Sequence, residues 1–403
     1  MLLEIIIALI LGILIGTLTG LIPGIHINLV AIFLLSASAV LYSFFPPIAL
    51  VTFIASLSIT HIFIDFIPTI FLGAPDSNTT LSILPGHEML INGEGYEAVI
   101  LSILGCMIGT ILLLPLTPVL IFILPKIYSY IQRIIPLILL LIILTLILFE
   151  KNKKLLTLGI IILSGALGYA SLNLNLTDPL LPLLTGLFGS SSLIVSITKK
   201  QNLPDQKITK LKEIFKNRPF SILKSVSAAL IASPICSFLP ALGSNQASTI
   251  GSLVIGEINR KEFLILIGIV NTLVMSLSFV TLYSINKSRT GSAVAVSKLI
   301  NSLRIQDLTI IIIAIIISGI ASFIISIRIA KKFSKRINKI NYSKLSIIIL
   351  VFLTIITFIL SGILGILIYI TSTALGITCI LLGIKRTSLM SCLIIPTIII
   401  YLS

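Results

Sequence analysis

Apolar runs of roughly twenty residues recur along this chain, each long enough to cross a hydrocarbon core about 30 Å thick. A bilayer interior offers no water to exposed backbone groups, so a spanning segment is a helix or part of a closed barrel. Runs this long, without two-residue alternation, are helices. Only 10% of the 403 residues are charged, against about 25% in soluble chains. The expected fold class is an all-α polytopic membrane protein. Spans are predicted near 2–22, 27–45, 48–64, 98–125, 134–149, 155–171, 180–197, 220–239, 244–256, 262–282, 308–326, 346–360, 363–383 and 389–402. The first run has Glu4 where a signal peptide carries basic residues, and more spans follow it, so no cleavable leader is expected.

The net charge of +15 sits mostly in short loops between spans: Lys151–Lys154, Lys199–Arg218 and Arg328–Lys344, with Lys385 and Arg386 a smaller fourth. Basic loops of this kind orient a membrane protein, and no nucleic-acid partner is implied. An even number of crossings separates the loops, so all can face the cytoplasm. With 98–125 as one long helix, span 2–22 then runs outside to inside and 220–239 inside to outside. Cys106, Cys236, Cys379 and Cys392 lie in apolar segments without C-x-x-C spacing and read as small buried hydrophobes.

Two stretches interrupt the hydrocarbon. Residues 66–84, continuing polar to 97, and residues 284–302 read as re-entrant hairpins or broken helices. Irregular backbone at membrane depth survives only where protein or a wet cavity covers it, and transporters hold substrate and ion there. Gly20–Asn28 parallels Ser237–Asn245 at an offset of 217 residues, with Asn five residues after Pro in both. The same offset carries Gly73–Asp76 onto Thr290–Ala293, inside the second broken stretch. The pattern predicts two inverted-topology repeats, each with a broken helix or re-entrant hairpin. The expected division is 1–130 and 219–327 as the repeats, 131–218 as connecting spans with a basic loop, and 328–403 as a basic loop with C-terminal spans.

The candidate binding residues lie at these breaks. Pro23-Gly24 can unwind the backbone, freeing carbonyls for a cation or a helix N-terminus for an anion, with Asn28 adding an amide. Pro240, Gly243, Ser244 and Asn245 are the counterpart. Gly73, Asp76, Ser77, Asn78, Thr79 and Thr80 offer hard oxygen ligands, suited to Na⁺ or proton coupling. Lys287 and Arg289 would meet a carboxylate or phosphate. Asp76 and Asp65 are the candidates for ion coupling. His61 and Asp65, four apart on one helix, also fit a proton relay or an intrahelical pair; with His26 or His87 no complete metal-ligand set forms. Glu88, Glu94 and Glu97 read as a solvated face. No metal and no cofactor is expected, Na⁺ being the one ion these ligands suit. No H-E-x-x-H, G-x-S-x-G or phosphate-loop motif is present, so no enzyme is expected.

At these residues the chain resembles the large membrane subunit of the tripartite tricarboxylate transporter family, as a diverged member. Gly12, Gly16, Gly20, Pro23 and Gly24 resemble that family's first element; Gly73 to Thr80, with Gly86, Gly93, Gly95 and Ala98, resemble its second. Ser237 to Ser252 resemble the repeat of the first, although Ala241 follows Pro240 where the pattern has Gly. The resemblance implies a permease of two homologous halves for citrate-type anions. It also implies a small membrane subunit and an extracytoplasmic binding protein as partners.

The expected function is secondary active transport of a small organic anion, di- or tricarboxylate-like, coupled to Na⁺ or H⁺ in the plasma membrane. Two rivals stand beside it. An intramembrane enzyme or lipid-handling protein would use His61, Asp65 and Asp76; a non-transporting assembly component would leave both broken stretches at the surface.

Overall fold

The computed structural model describes residues 2–22, 42, 44–73, 79–148, 150, 153–174, 176, 179–198, 204–216, 219–238, 243–256, 258–288, 290–300, 302–337 and 342–402. No strand occurs among the described residues. The helices are α1 Leu2–Leu21, α2 Pro47–Leu72, α3 Ile83–Ile91, α4 Gly95–Leu148, α5 Lys154–Asn173, α6 Leu180–Leu184, α7 Ser191–Thr198, α8 Leu211–Lys216, α9 Pro219–Phe238, α10 Ser244–Ile255, α11 Arg260–Ile285, α12 Gly291–Leu299, α13 Ile305–Ile337, α14 Tyr342–Leu381 and α15 Ser391–Leu402. Among the described residues, seven stretches are long and apolar enough to span a bilayer. The chain is an all-α multi-pass membrane protein.

Two helices form the centre. The most apolar stretch of α2 is 89% buried and that of α11 is 94% buried, against 22% for α1. Their ends are built alike. α2 begins with Pro at its first position and stops at Gly73, φ 65°, whose N–H bonds the Thr69 carbonyl. α11 begins with a capping box between Asn259 and Glu262 and stops at left-handed Asn286. α2 differs from expectation in length: it continues past residue 64 through Pro68 to Leu72. Pro68 removes one N–H, but protein packed on every side of α2 holds the helix in place.

The 54-residue α4 spans about 80 Å at 1.5 Å per residue, too long for one crossing. Its apolar parts are Gly95–Tyr128 and Pro136–Leu148. Pro115 and Pro118 do not split the first of these, so the predicted span 98–125 is one helix. The predicted spans 346–360 and 363–383 join as α14 across non-helical Gly362, φ 63° and ψ −161°.

Lengths and packing recur in pairs. α1 and α9 have 20 residues each, α2 and α11 have 26, α3 and α12 have 9. Gly95–Tyr128 and α13 have 34 and 33. α1 packs on α2 as α9 packs on α11; α4 packs on α11 as α13 packs on α2. Contacts give directions. Gly12 faces Ser56, Gly16 faces Thr60 and Gly20 faces Ile64, so α1 and α2 run parallel. Gly105 meets Ile265 and Gly109 meets Ile269, so α4 and α11 run parallel. The same holds for α2 and α13, through Thr60–Ser322 and the stacked Phe71–Phe333 rings. Glycines at these seams let backbones approach, the usual device where lipid supplies no hydrophobic drive between helices.

One end of the bundle collects the charges. Arg260 pairs with Glu88, and Lys261 with Glu94 and Glu97. Gln206 bonds the Leu90 carbonyl, and Lys153 the Leu382 carbonyl. Gly86 packs on Ile70 near the C-terminus of α2, so α2 ends where α4 and α11 begin, and α2 and α11 run in opposite directions. This is the end that the positive-inside tendency assigns to the cytoplasm. The three glutamates, read from sequence as a solvated face, are ion-pair partners, and Glu97 is buried.

Candidate functional site

Polar side chains follow the buried length of α2. Ser58, Asp65 and Thr69 fall on one face by their spacing, with His61 one turn before Asp65. His61 directs Nδ1 to the Thr19 hydroxyl of α1 at 3.1 Å. Asp65 is 5% exposed. Its Oδ2 accepts from Thr79 Oγ1 at 2.7 Å and its Oδ1 from Thr69 Oγ1 at 3.3 Å; the two hydroxyls lie 3.0 Å apart. Thr79 stands just beyond the break at Gly73, so the chain leaves α2 and sends a hydroxyl back to its carboxylate. The Thr79 carbonyl accepts both the N–H and the hydroxyl of Ser82, which starts the 3-10 turn Thr80–Ser82. A carboxylate in a spanning helix is costly and marks a functional position by default. Hydroxyl donors lower that cost while leaving hard oxygen ligands together.

The second break is built around hydroxyls. Thr290 caps α12 by accepting the Ala293 N–H, and lies 2.8 Å from the Ser278 hydroxyl of α11. Ser292, in the first turn of α12, meets Ser58 of α2 at 2.7 Å. In return, α3 and the 3-10 turn pack on α11. Each broken stretch thus docks on the central helix of the other half.

Of the residues singled out from sequence, Asp65 and Thr79 meet, and Gly73 ends the helix that carries Asp65. Thr80 opens the 3-10 turn. Gly243 accepts the Ala247 N–H at the start of α10, where Ser244 and Asn245 are buried. Lys287 is exposed on the turn after Asn286. Pro23, Gly24, Asn28, Asp76, Ser77, Asn78, Pro240 and Arg289, with residues 27–41 of the span predicted at 27–45, lie outside the described residues.

Sequence reasoning passed over Asn271. It is 2% exposed in the middle of α11, and neither amide atom has a partner among the described residues. A lone Asn in the run Leu264–Leu277 was the available signal, since an amide in hydrocarbon demands a partner. Asn271 and Ser278, seven apart, share a face of α11.

Arg386, read from sequence as part of a basic loop, is buried against the π-helical turn Thr185–Ser190. On α3, outside the spans, burial and the nearby Arg386 push His87 down to about 4.

Residues 6–391 match the model of the tripartite tricarboxylate transporter TctA family. An uncharacterized protein of Methanocaldococcus jannaschii is 32% identical over 392 residues, covering 94% of each chain. No solved structure matches. The matched family is one of transporters and not of enzymes, and its model covers both central helices and both breaks. The chain belongs to the tripartite tricarboxylate transporter TctA family, as a multi-pass membrane permease.

Proposed function

We propose that this permease is a secondary active transporter for a small organic anion of the di- or tricarboxylate class, coupled to Na⁺ or H⁺. The observation that carries the reading is the buried Asp65 carboxylate, held by Thr69 and by Thr79 from beyond the helix break. Coupling needs a site whose charge changes when a cation or proton binds, and Asp65 supplies one among oxygen ligands. Asp76, in the same break, is the second coupling candidate. Matched helix lengths, reciprocal packing and the opposed directions of α2 and α11 support two inverted repeats. Under that reading substrate lies between the breaks, near Asn271, Ser278 and Thr290. The residues at Pro23–Asn28, Ser77–Thr80, Pro240–Asn245 and Lys287–Arg289 complete its surroundings. Rocking of one part of each repeat would open the site to alternate sides. The plasma membrane is the proposed location, with a small membrane subunit and an extracytoplasmic binding protein as partners.

The test is uptake into proteoliposomes with a panel of labelled carboxylates under an imposed Na⁺ or H⁺ gradient. Accumulation that collapses with an ionophore, and falls in Asp76→Ala, is the expected result. Uptake of no carboxylate under either gradient, with or without a supplied binding protein, would count against it.

A further inference from the structure

At the charged end of the bundle, a cavity of about 400 Å³ opens between α3, the start of α11 and the C-terminal spans. Its charged lining is Glu88, Arg260, Lys385 and Arg386, three cations against one carboxylate. Leu81 and Pro85 line it too, two and six residues beyond Thr79, so the cavity abuts the first break.

Arg386 is the most constrained of the four. It is 7% exposed. Its guanidinium donates to the Ser191 and Ser192 hydroxyls and to the carbonyls of Leu187 and Phe188, and it lies 5.3 Å from the Phe188 ring centroid. All of those partners are neutral, and Nε has no acceptor among the described residues. Dipoles and a ring face fix the plane of a guanidinium but leave its net charge in place. A charge so far from water is costly until an opposite charge joins it. Glu88, the carboxylate in the lining, is engaged by Arg260 at 2.5 Å. Lys385, exposed at the rim, adds a second positive charge.

We propose that this cavity binds a small oxyanion, a carboxylate or phosphate group, with Arg386 and Lys385 as its cationic contacts. The Nε–H and one Nη1 hydrogen of Arg386 are not taken by those partners and are the donors left for an oxyanion. Phe188, Ile258 and Phe263 suit a short carbon frame beside it. The proposal rests on the carrier reading in one respect: it places an anion site at the inner mouth of the path whose centre is Asp65. The oxyanion has two sources, a soluble carboxylate or phosphate and the headgroup of an anionic lipid.

The experiment uses the full chain in nanodiscs of neutral or anionic lipid. Thermal unfolding is followed with a thiol-reactive dye, for which the buried Cys106, Cys236, Cys379 and Cys392 are reporters. Citrate and inorganic phosphate are titrated at constant ionic strength. A saturable rise in midpoint with either oxyanion in neutral discs identifies a soluble ligand. A rise on anionic lipid alone identifies a headgroup, and both results support the site. Lys385→Gln, at the rim, raises the half-saturating concentration at least tenfold, whereas exposed Lys212→Gln leaves it unchanged. Arg386→Lys, which keeps the charge but not the Nε–H, weakens binding without abolishing it. No saturable shift with any of the three probes, or equal half-saturation in wild type and Lys385→Gln, overturns the proposal. Uptake is measured on the same preparations: lost uptake with intact binding counts against the carrier reading, and lost binding with intact uptake against its link to this site.

Discussion

Thr79→Val isolates the contact that joins the first break to α2. Valine keeps the branched shape, so no cavity opens, and only the hydroxyl is lost. Among the described residues, two hydroxyl protons serve three contacts: Thr79 to Asp65 at 2.7 Å, Thr69 to Asp65 at 3.3 Å, and Thr69 with Thr79 at 3.0 Å. The shortest contact takes the Thr79 proton, and the Thr69 proton is shared between the other two. Without the Thr79 hydroxyl, the Thr69 proton turns wholly to Asp65, so the net loss is one hydrogen bond to a charged group. Such bonds contribute about 1.5–3 kcal/mol. Thr69→Val removes a longer, shared bond and should cost about 1 kcal/mol or less. Thr52→Val is the control, since that hydroxyl bonds only the Ile48 carbonyl of its own helix among the described residues. The double variant Thr69→Val/Thr79→Val should exceed the sum of the singles, because it strips two donors from one buried carboxylate. The assay is thermal unfolding with the thiol dye, beside uptake on the same preparations. Equal losses in Thr79→Val and Thr52→Val would refute the reasoning.

Gly268→Val places a Cβ against the Ser102 carbonyl oxygen and 3.0 Å from Gly105 Cα, both helix backbone. It should cost at least about 1–3 kcal/mol in the same melt. Gly159→Ala meets nothing within 4 Å and should hold or raise the midpoint. Glu97→Gln breaks a pair whose carboxylate side chain is 9% exposed, and should cost about 1.5–3 kcal/mol by denaturation. Glu88→Gln breaks one 63% and 37% exposed, worth about 0–1 kcal/mol. His87 is held neutral, its pKa down to about 4 from 6.5. Its contribution to stability is therefore complete above pH 6.5 and lost as pH falls toward about 4. A midpoint-against-pH profile should lose this component in His87→Gln.

The long spans among the described residues were legible because lipid permits one solution to the backbone problem, and length and apolarity then mark it. Even the break at Gly362 fell between two predicted spans. The end of α2 was not legible. Pro68 and the polar residues after it look like a turn, yet burial on all sides carries the helix on to Gly73. Asp65 was singled out as four residues after His61 at the end of a predicted span, but its bond to Thr79 needed the fold, since fourteen residues separate them. The pairing of Ser58 with Ser292 spans the two halves and has no local signal. Arg386 misled for a related reason. Beside Lys385 it reads as loop charge, whereas the carbonyls that bury it lie almost two hundred residues earlier.

The account's central claim is that Asp65 couples ion and anion movement, and neutralising that carboxylate tests it most directly. Gradient-driven carboxylate accumulation should be measured for wild type and Asp65→Asn in matched proteoliposomes, with thermal midpoints recorded for both. The account predicts a folded Asp65→Asn protein whose uptake no longer responds to the Na⁺ or H⁺ gradient. A variant that accumulates substrate like wild type, and loses that accumulation equally when the gradient collapses, would contradict it.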